Sequence, residues 1–315
     1  MLQITAHLLT KDNQSTIRES IISIKEIVDE IIVCDLGSSD HTTAIANELG
    51  CVIQRSSLTS RSDIRNQMVA SSKNDWQLYL EPWEIFPNEP EVLLELIKSN
   101  NAYNFNILSQ SLITREVRLW NKKLGYKFVN PVMEFLDCHN EINSNLMVIE
   151  KKHKPIDYCN EITEWAKSKP NDSVPVYYAC CQYIKKQQWD LFKSTAVKYL
   201  FMNTTADMPA VMIKYYLAIV RCHIDRDANL AIKDILACIA IKPLLGEFWC
   251  LLADVYYYLV KDYIKAERLY KNAMILGSKR EIDTWPIDIV KYHDYPERMI
   301  QSCRSILSQS LYLRP

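Results

Sequence analysis

Glycine is scarce: five residues in 315, against a usual share of about 7%. Neither G-x-G-x-x-G nor G-x-x-x-x-G-K-[ST] can be built from them, which excludes the glycine-lined dinucleotide fingerprint and the P-loop. A nucleotide bound by this chain must be held mainly by side chains. Charge of one sign is lacking too. The net charge of -1 provides no basic field for long nucleic acid or an anionic membrane surface. No apolar run approaches the roughly 20 residues that span a bilayer. The first residues lack the basic stretch and small-residue cleavage site of a secretory leader, so the expected compartment is the cytoplasm. The ten cysteines contain no C-x-x-C pair and no Cys/His spacing of a zinc site. Cys34, Cys222, Cys238 and Cys250 fall at apolar positions and read as small buried thiols.

What is present is a soluble globular composition, 48% hydrophobic and 24% charged, on a chain long enough for two ordinary domains. Residues 1–100 alternate strand and helix patterns, which implies a parallel sheet with right-handed crossovers. Strands are expected at Leu2–Leu9, Glu30–Leu36, Cys51–Arg55 and Trp76–Leu80. Helices are expected at Thr16–Val28 with a Thr16/Glu19 capping box, at Asp40–Leu49 closed by Gly50, at Ser60–Ser72 and at Pro90–Ser99. From residue 102 the pattern becomes mixed and partly antiparallel, with strands at Glu116–Trp120 and Lys127–Leu136. The second strand ends on Asp35, turns at Gly37 and restarts as a helix with Asp40 as N-cap. An α/β sheet binds nucleotides at such a place, although an ordinary strand–helix corner has the same pattern.

Beyond about residue 160 the strand signal stops and helical patterns recur. Phe248–Gly277 reads as two helices, with Trp249, Leu252, Ala253 and Tyr256 on the first and Ala266, Tyr270 and Ala273 on the second. The preceding unit carries Ala218, Cys222, Ala231, Ile235, Cys238 and Pro243, and Ala231 lies 35 residues before Ala266. A weaker unit covers Val174–Met202, and the segment after 281 reads as a terminal cap. Small residues at this period resemble the tetratricopeptide repeat, where they let antiparallel helices pack closely. The division expected is therefore an α/β domain over 1–155 and an α-helical domain over 156–315.

Five motifs in the first half occur in a particular order. They are Lys11-Asp12-Asn13 after the first strand, Asp29-Glu30 with Asp35-Leu36-Gly37-Ser38-Ser39-Asp40, Arg65-Asn66, Asn74-Asp75-Trp76 running into Glu81-Pro82-Trp83-Glu84, and Arg118-Leu119-Trp120 followed by Asn130-Pro131-Val132-Met133-Glu134. This order resembles family 2 glycosyltransferases of the GT-A fold, in the branch that carries tetratricopeptide-like helices after the catalytic domain. The resemblance implies transfer of a hexose-type sugar from a UDP-sugar, with inversion. It places Asp35 on the base or ribose, Ala6–Leu8 along the base pocket, Arg65 near the diphosphate with Asn66 beside it, and Glu81 on the leaving-group side. A guanidinium suits phosphate because its donors match two oxygens at once.

The family's Asp-x-Asp holds Mn²⁺ or Mg²⁺. Here Glu81 and Trp83 replace the two aspartates, and an indole cannot ligate a hard cation. Glu81 with Glu84 as metal ligands, transfer without metal, and a site that binds without catalysis all remain open. Glu134 falls where the resemblance puts the general base, with Met133 in place of a histidine and Asp137 as the alternative. Trp83 and Trp120 suit either a sugar face or core packing, and His139 reads as a surface turn residue. The expected partners are a nucleotide-sugar donor and a protein, peptide or glycan acceptor, with self-association through the helical part and no long nucleic acid. The competing reading is a non-catalytic transferase domain serving, with its repeats, as a protein-binding scaffold.

Overall fold

The computed structural model describes residues 3–110, 112–153, 157–203, 207–277 and 287–312. The chain divides into two compact units, Met1–Asp157 and Tyr158–Pro315; the boundary expected between 155 and 156 falls outside the described residues.

The first unit contains β1 (Ile4–Thr10), α1 (Ile17–Lys25), β2 (Glu30–Asp35), α2 (Thr42–Glu48), β3 (Val52–Arg55), α3 (Arg61–Ser71), β4 (Trp76–Tyr79), β5 (Glu84–Ile85) and α4 (Pro90–Leu96). It continues with β6 (Ala102–Ser109), β7 (Leu112–Asn121), β8 (Lys127–Val129), β9 (Phe135–Asp137) and β10 (Ile142–Glu150). The main sheet has the order β3-β2-β1-β4-β7-β6-β10-β5. Strands β3, β2, β1 and β4 run parallel, and β7 enters antiparallel to both β4 and β6. This is the mixed α/β sheet that the sequence implied. All seven residues of β1 are buried, as befits a central strand covered on both faces. Ile17, Ile21 and Ile24 of α1 are fully buried in the same core as Ala6, Leu8, Val33 and Leu78. Their spacing puts one helix face on the sheet.

Several local expectations are corrected. Lys127–Leu136 is not one strand: β8 and β9 form a hairpin, and Asn130 and Met133 take positive φ of 72° and 54° between them. Thr16 makes no side-chain cap to α1; its hydroxyl instead donates back to the Asn13 carbonyl at 3.4 Å. Helix α2 starts at Thr42 rather than Asp40, yet Asp40 still accepts from the Thr42 N–H at 2.9 Å. Gly50 does close it: at φ +83° it donates to the Asn47 carbonyl, and Cys51 donates to that of Ala46, as in a Schellman turn.

The second unit holds helices α5 (Cys159–Ser168), α6 (Ser173–Lys185), α7 (Trp189–Met202), α8 (Met208–Val220), α9 (Ala228–Ile241), α10 (Gly246–Val255), α11 (Tyr263–Gly277) and α12 (Asp294–Tyr312). Ala218, Ala231, Ala253, Ala266 and Ala273 are all fully buried, so the small residues do lie where helices meet. Helices α8 and α10 each run into a wide turn, Arg221–Asp225 and Tyr256–Val260, closed by Arg226 and Lys261 in left-handed conformation. Part of the expected terminal cap, 281–286, lies outside the described residues; α12 supplies the rest.

Candidate active site

In an open parallel sheet, ligands bind beyond the carboxyl ends of the strands where the strand order reverses. Here that point lies between β1 and β4, because β2 and β3 continue on one side of β1 and β4 lies on the other. The loops after β1, β2 and β4 therefore border the site.

The β1 and β2 loops are tied together by side chains. Asp35 ends β2, and its carboxylate accepts from the Ser38 N–H at 3.0 Å and the Ser38 hydroxyl at 2.5 Å. Ser38 Oγ in turn accepts from the Asp12 N–H at 2.9 Å. Asp12 Oδ1 returns the contact by accepting from the Ser39 N–H at 2.7 Å. Thr42 Oγ1 accepts from the Asn13 N–H at 2.7 Å. Gly37, at φ +87°, permits the turn. Asp35 is thus fixed by short contacts at the sheet edge.

The β4 side is a buried network of ions. Arg65, on α3, donates from Nε to Glu134 at 2.6 Å and from Nη2 to Glu81 at 2.8 Å and the Tyr79 hydroxyl at 3.2 Å. The Tyr79 hydroxyl also donates to Glu81. Arg61 donates from Nε to both oxygens of Glu134, at 3.1 and 2.9 Å. Arg118, on β7 beside β4, donates from Nη2 to Glu84 at 2.7 Å. The other Glu84 oxygen accepts from the Glu81 N–H at 2.8 Å. The guanidinium carbons of Arg65 and Arg118 lie 4.1 and 4.2 Å from the Tyr79 ring centroid, a cation–π arrangement worth more when desolvated. Burial opposes charge on Arg65, yet Tyr79, Glu81 and Glu134 outweigh it and its pKa rises. Burial pushes Glu84 up to about 8, with Arg118 pulling the other way.

This geometry revises several assignments. Glu134 lies in the β8–β9 loop, whose Pro131 carbonyl accepts from the Arg61 N–H at 2.9 Å, so the loop delivers a carboxylate to the first turn of α3. Burial would raise its pKa, but Arg65 and Arg61 outweigh that and hold it below the usual range. A general base works best with a pKa near the operating pH and a lone pair free for the acceptor. Clamped by two guanidiniums, Glu134 instead fits a carboxylate that positions Arg61 and Arg65. Asp137 is exposed on β9. Ala6 has no exposed surface and packs into the core, because β1 is covered on both faces; it cannot line a base pocket. Asn66 uses both ends of its amide on the Phe128 backbone, 2.9 Å each way, and so pins α3 to β8 rather than reaching a donor. Trp120 is fully buried, and Trp83 stacks on His153 with centroids 4.1 Å apart. His139 is exposed, as expected.

A divalent ion at Glu81 and Glu84 does not fit these residues. Both Glu84 oxygens and Glu81 Oε1 already accept hydrogen bonds, which leaves Glu81 Oε2 as the one unpartnered oxygen. Such ions take six or more oxygens, usually from more than one acidic group or from phosphates. A dication about 5 Å from the Arg65 guanidinium would be repelled by roughly 7 kcal/mol at an effective dielectric near 20. Among the described residues no group of three or more His, Cys, Asp or Glu is arranged to hold a metal, and no described helix is long and apolar enough to cross a membrane.

Arg61, Tyr79 and the ion-pairing role of Arg118 were not legible as site features in the sequence. The one signal was the Arg118 motif itself, which marked the residue without its partner. No protein-family model matches the chain. It is 28% identical over 151 residues to a tetratricopeptide-repeat-containing protein of Synechococcus elongatus, covering 44% of this chain and 36% of that protein. Glucosyl-3-phosphoglycerate synthase of Mycobacterium tuberculosis, solved with Mn²⁺, uridine diphosphate and glucosyl-3-phosphoglycerate, superposes on 34% of this chain and 44% of its own with a TM-score of 0.30 and 19% identity. Over 178 residues the chain is 26% identical to an uncharacterized glycosyltransferase of Rickettsia felis, covering 51% of this chain and 59% of the relative. It thus spans between about a third and three fifths of these curated relatives, similar in part to a glycosyltransferase and in part to a tetratricopeptide-repeat protein.

Proposed function

We propose that the chain binds a UDP-sugar in the crevice beyond β1, β2 and β4 and transfers the sugar, with inversion, to an acceptor hydroxyl. The observation that carries this reading is the placement of Asp35, a carboxylate locked by Ser38 at the C-terminal end of β2 beside the reversal of strand order. A fixed acceptor at that edge suits the N–H of a pyrimidine or a ribose hydroxyl. The similarity to a rickettsial glycosyltransferase supports it. Donor contact then falls to Asp35, with Arg65 and Glu81 lying in the network behind the site. The acceptor is a protein, peptide or glycan.

The test is calorimetry with UDP. Asp35→Ala should weaken binding at least tenfold, about 1.4 kcal/mol. Unchanged affinity in a variant with native circular dichroism would overturn the placement.

A second reading, binding without turnover, is favoured by one observation: Glu134 is clamped between Arg61 and Arg65 and held below the usual carboxylate range. In that case UDP binds the wild-type chain, but no sugar is released from UDP-glucose or a related donor over long incubation.

A further inference from the structure

The two acidic side chains in the turn from β4 into β5 are not partners in waiting for an ion. Arg65 and Arg118 are each about 2% exposed at the side chain, and they pair with Glu81 and Glu84 at 2.8 and 2.7 Å. Glu84 also holds the Glu81 backbone, so the turn Glu81–Glu84 is shaped by the same carboxylate that Arg118 neutralises. Trp83, between them, is stacked on His153, and the Trp83 carbonyl accepts from the Lys151 N–H at 2.9 Å. The position that a metal-binding version of the motif would fill with a second carboxylate is therefore committed to an aromatic contact.

In such a motif the cation offsets two charges, that of the protein's carboxylates and that of the diphosphate. Here the first is offset internally. Arg65 serves Glu81 and Glu134 together, and Arg118 serves Glu84 and also Glu116 at 3.3 Å. Three donor positions on these two guanidiniums, Arg65 Nη1 and Arg118 Nε and Nη1, are buried without an acceptor. The cationic side of the network thus has hydrogen-bonding capacity left over, whereas the anionic side has one oxygen. A buried charge pair of this kind persists only with good geometry and few alternatives.

We infer that this site takes a nucleoside diphosphate without a divalent cation, the guanidinium groups of Arg65 and Arg118 standing as permanent counter-charges to Glu81 and Glu84. The inference rests on the donor-binding reading above. It makes the strand-end carboxylates structural partners of arginine.

The experiment uses the full chain in two arms. In the first, Mn²⁺ alone is titrated into protein and free Mn²⁺ is followed by electron paramagnetic resonance. No protein-bound Mn²⁺ is expected up to about 1 mM, the weak end of specific binding; tighter binding overturns the inference. In the second, UDP binding is measured by calorimetry with EDTA and with Mn²⁺. Affinities should agree within about threefold, less than the tenfold step that marks a substantial interaction; a gain of tenfold or more with Mn²⁺ overturns the inference. If UDP binds under neither condition, the donor reading fails while the first arm still decides whether an ion is held.

Discussion

In the α/β unit the buried carboxylates of Glu81, Glu84 and Glu134 are met by guanidiniums. In the helical unit, buried Asp254 and Glu247 are met by tyrosine hydroxyls. Asp254 Oδ1 accepts from Tyr270 at 2.5 Å and from Tyr295 at 2.6 Å, and Glu247 accepts from the Tyr292 hydroxyl and from the Asp288 N–H at 3.3 Å. The two solutions have different consequences. An arginine partner pulls the carboxylate toward ionisation, enough to hold Glu134 below its usual range though not to offset burial at Glu84, whereas a phenol can satisfy it in either protonation state. The tyrosine contacts act as clamps that hold residues 288–295 on α10. Gly246 fits that role: a Cβ there would come within 2.6 Å of the Tyr292 ring, so the close approach needs glycine at this point.

The comparison breaks most visibly at Arg65, where the largest effect is expected. Arg65→Met leaves Glu81 facing only Tyr79 and the Arg65 side of Glu134 without its cation. Breaking a buried pair from one side costs about 3–5 kcal/mol. Denaturation in urea, followed by tryptophan fluorescence, should show a loss of that size. Adding Glu81→Gln should recover part of it, because the orphaned charge disappears. A loss under about 1 kcal/mol would mean that the network behaves like a solvated surface pair.

A smaller effect is expected on the tyrosine side. Burial raises the Asp254 pKa above its usual 3.8, with Lys291 and the tyrosine bonds opposing. A raised folded value means stability that is fully present below the unfolded pKa and lost as pH rises through the folded one. Asp254→Asn keeps an acceptor for both hydroxyls and removes the ionisation, so its stability at pH 7 should equal or exceed that of wild type. Asp254→Ala strands the buried Tyr270 hydroxyl and the partly buried one of Tyr295, at a cost of about 1–3 kcal/mol. Thermal unfolding of the pair at pH 5 and pH 8 decides it: the Asn variant should gain on wild type at the higher pH. If Asn costs as much as Ala, the charge itself is what the tyrosines hold.

Much of this molecule was legible from its residues, and the misreadings share a cause. Asp35 was visible because a polar residue ends an otherwise apolar run. The helical unit was visible because Ala231 and Ala266 keep one period. Ala6 was misread because β1 is buried on both faces, Thr5 and His7 included, so its alternation of polar and apolar residues does not mark a side that faces a ligand. Asn66 and Glu134 were misread because their partners, the Phe128 backbone and Arg61, come from segments about 60 to 70 residues away in sequence or a turn apart in space. The Tyr79–Arg118 contact required knowing that β7 pairs with β4 in antiparallel register. Local pattern carries which residues end an element. It does not carry which two ends meet.

Individual helix starts differ as well, and there the smallest effect is expected. In the helical unit Asp227 caps α9, accepting from the Leu230 N–H at 3.0 Å. Asp207 does the same for α8, accepting from the Ala210 N–H at 2.9 Å. In the α/β unit Thr16 precedes α1 but makes no such bond, since its hydroxyl is turned to Asn13. Helix α1 is held instead by Ile17, Ile21 and Ile24 packed on the sheet. Asp227→Ala should therefore cost about 1 kcal/mol, the usual worth of a lost N-cap. Thr16→Ala should cost no more than about 0.5 kcal/mol, the range of a substitution away from any special contact. Paired urea titrations of the two variants provide the measurement. Equal losses would show that Thr16 caps α1 in solution as Asp227 caps α9.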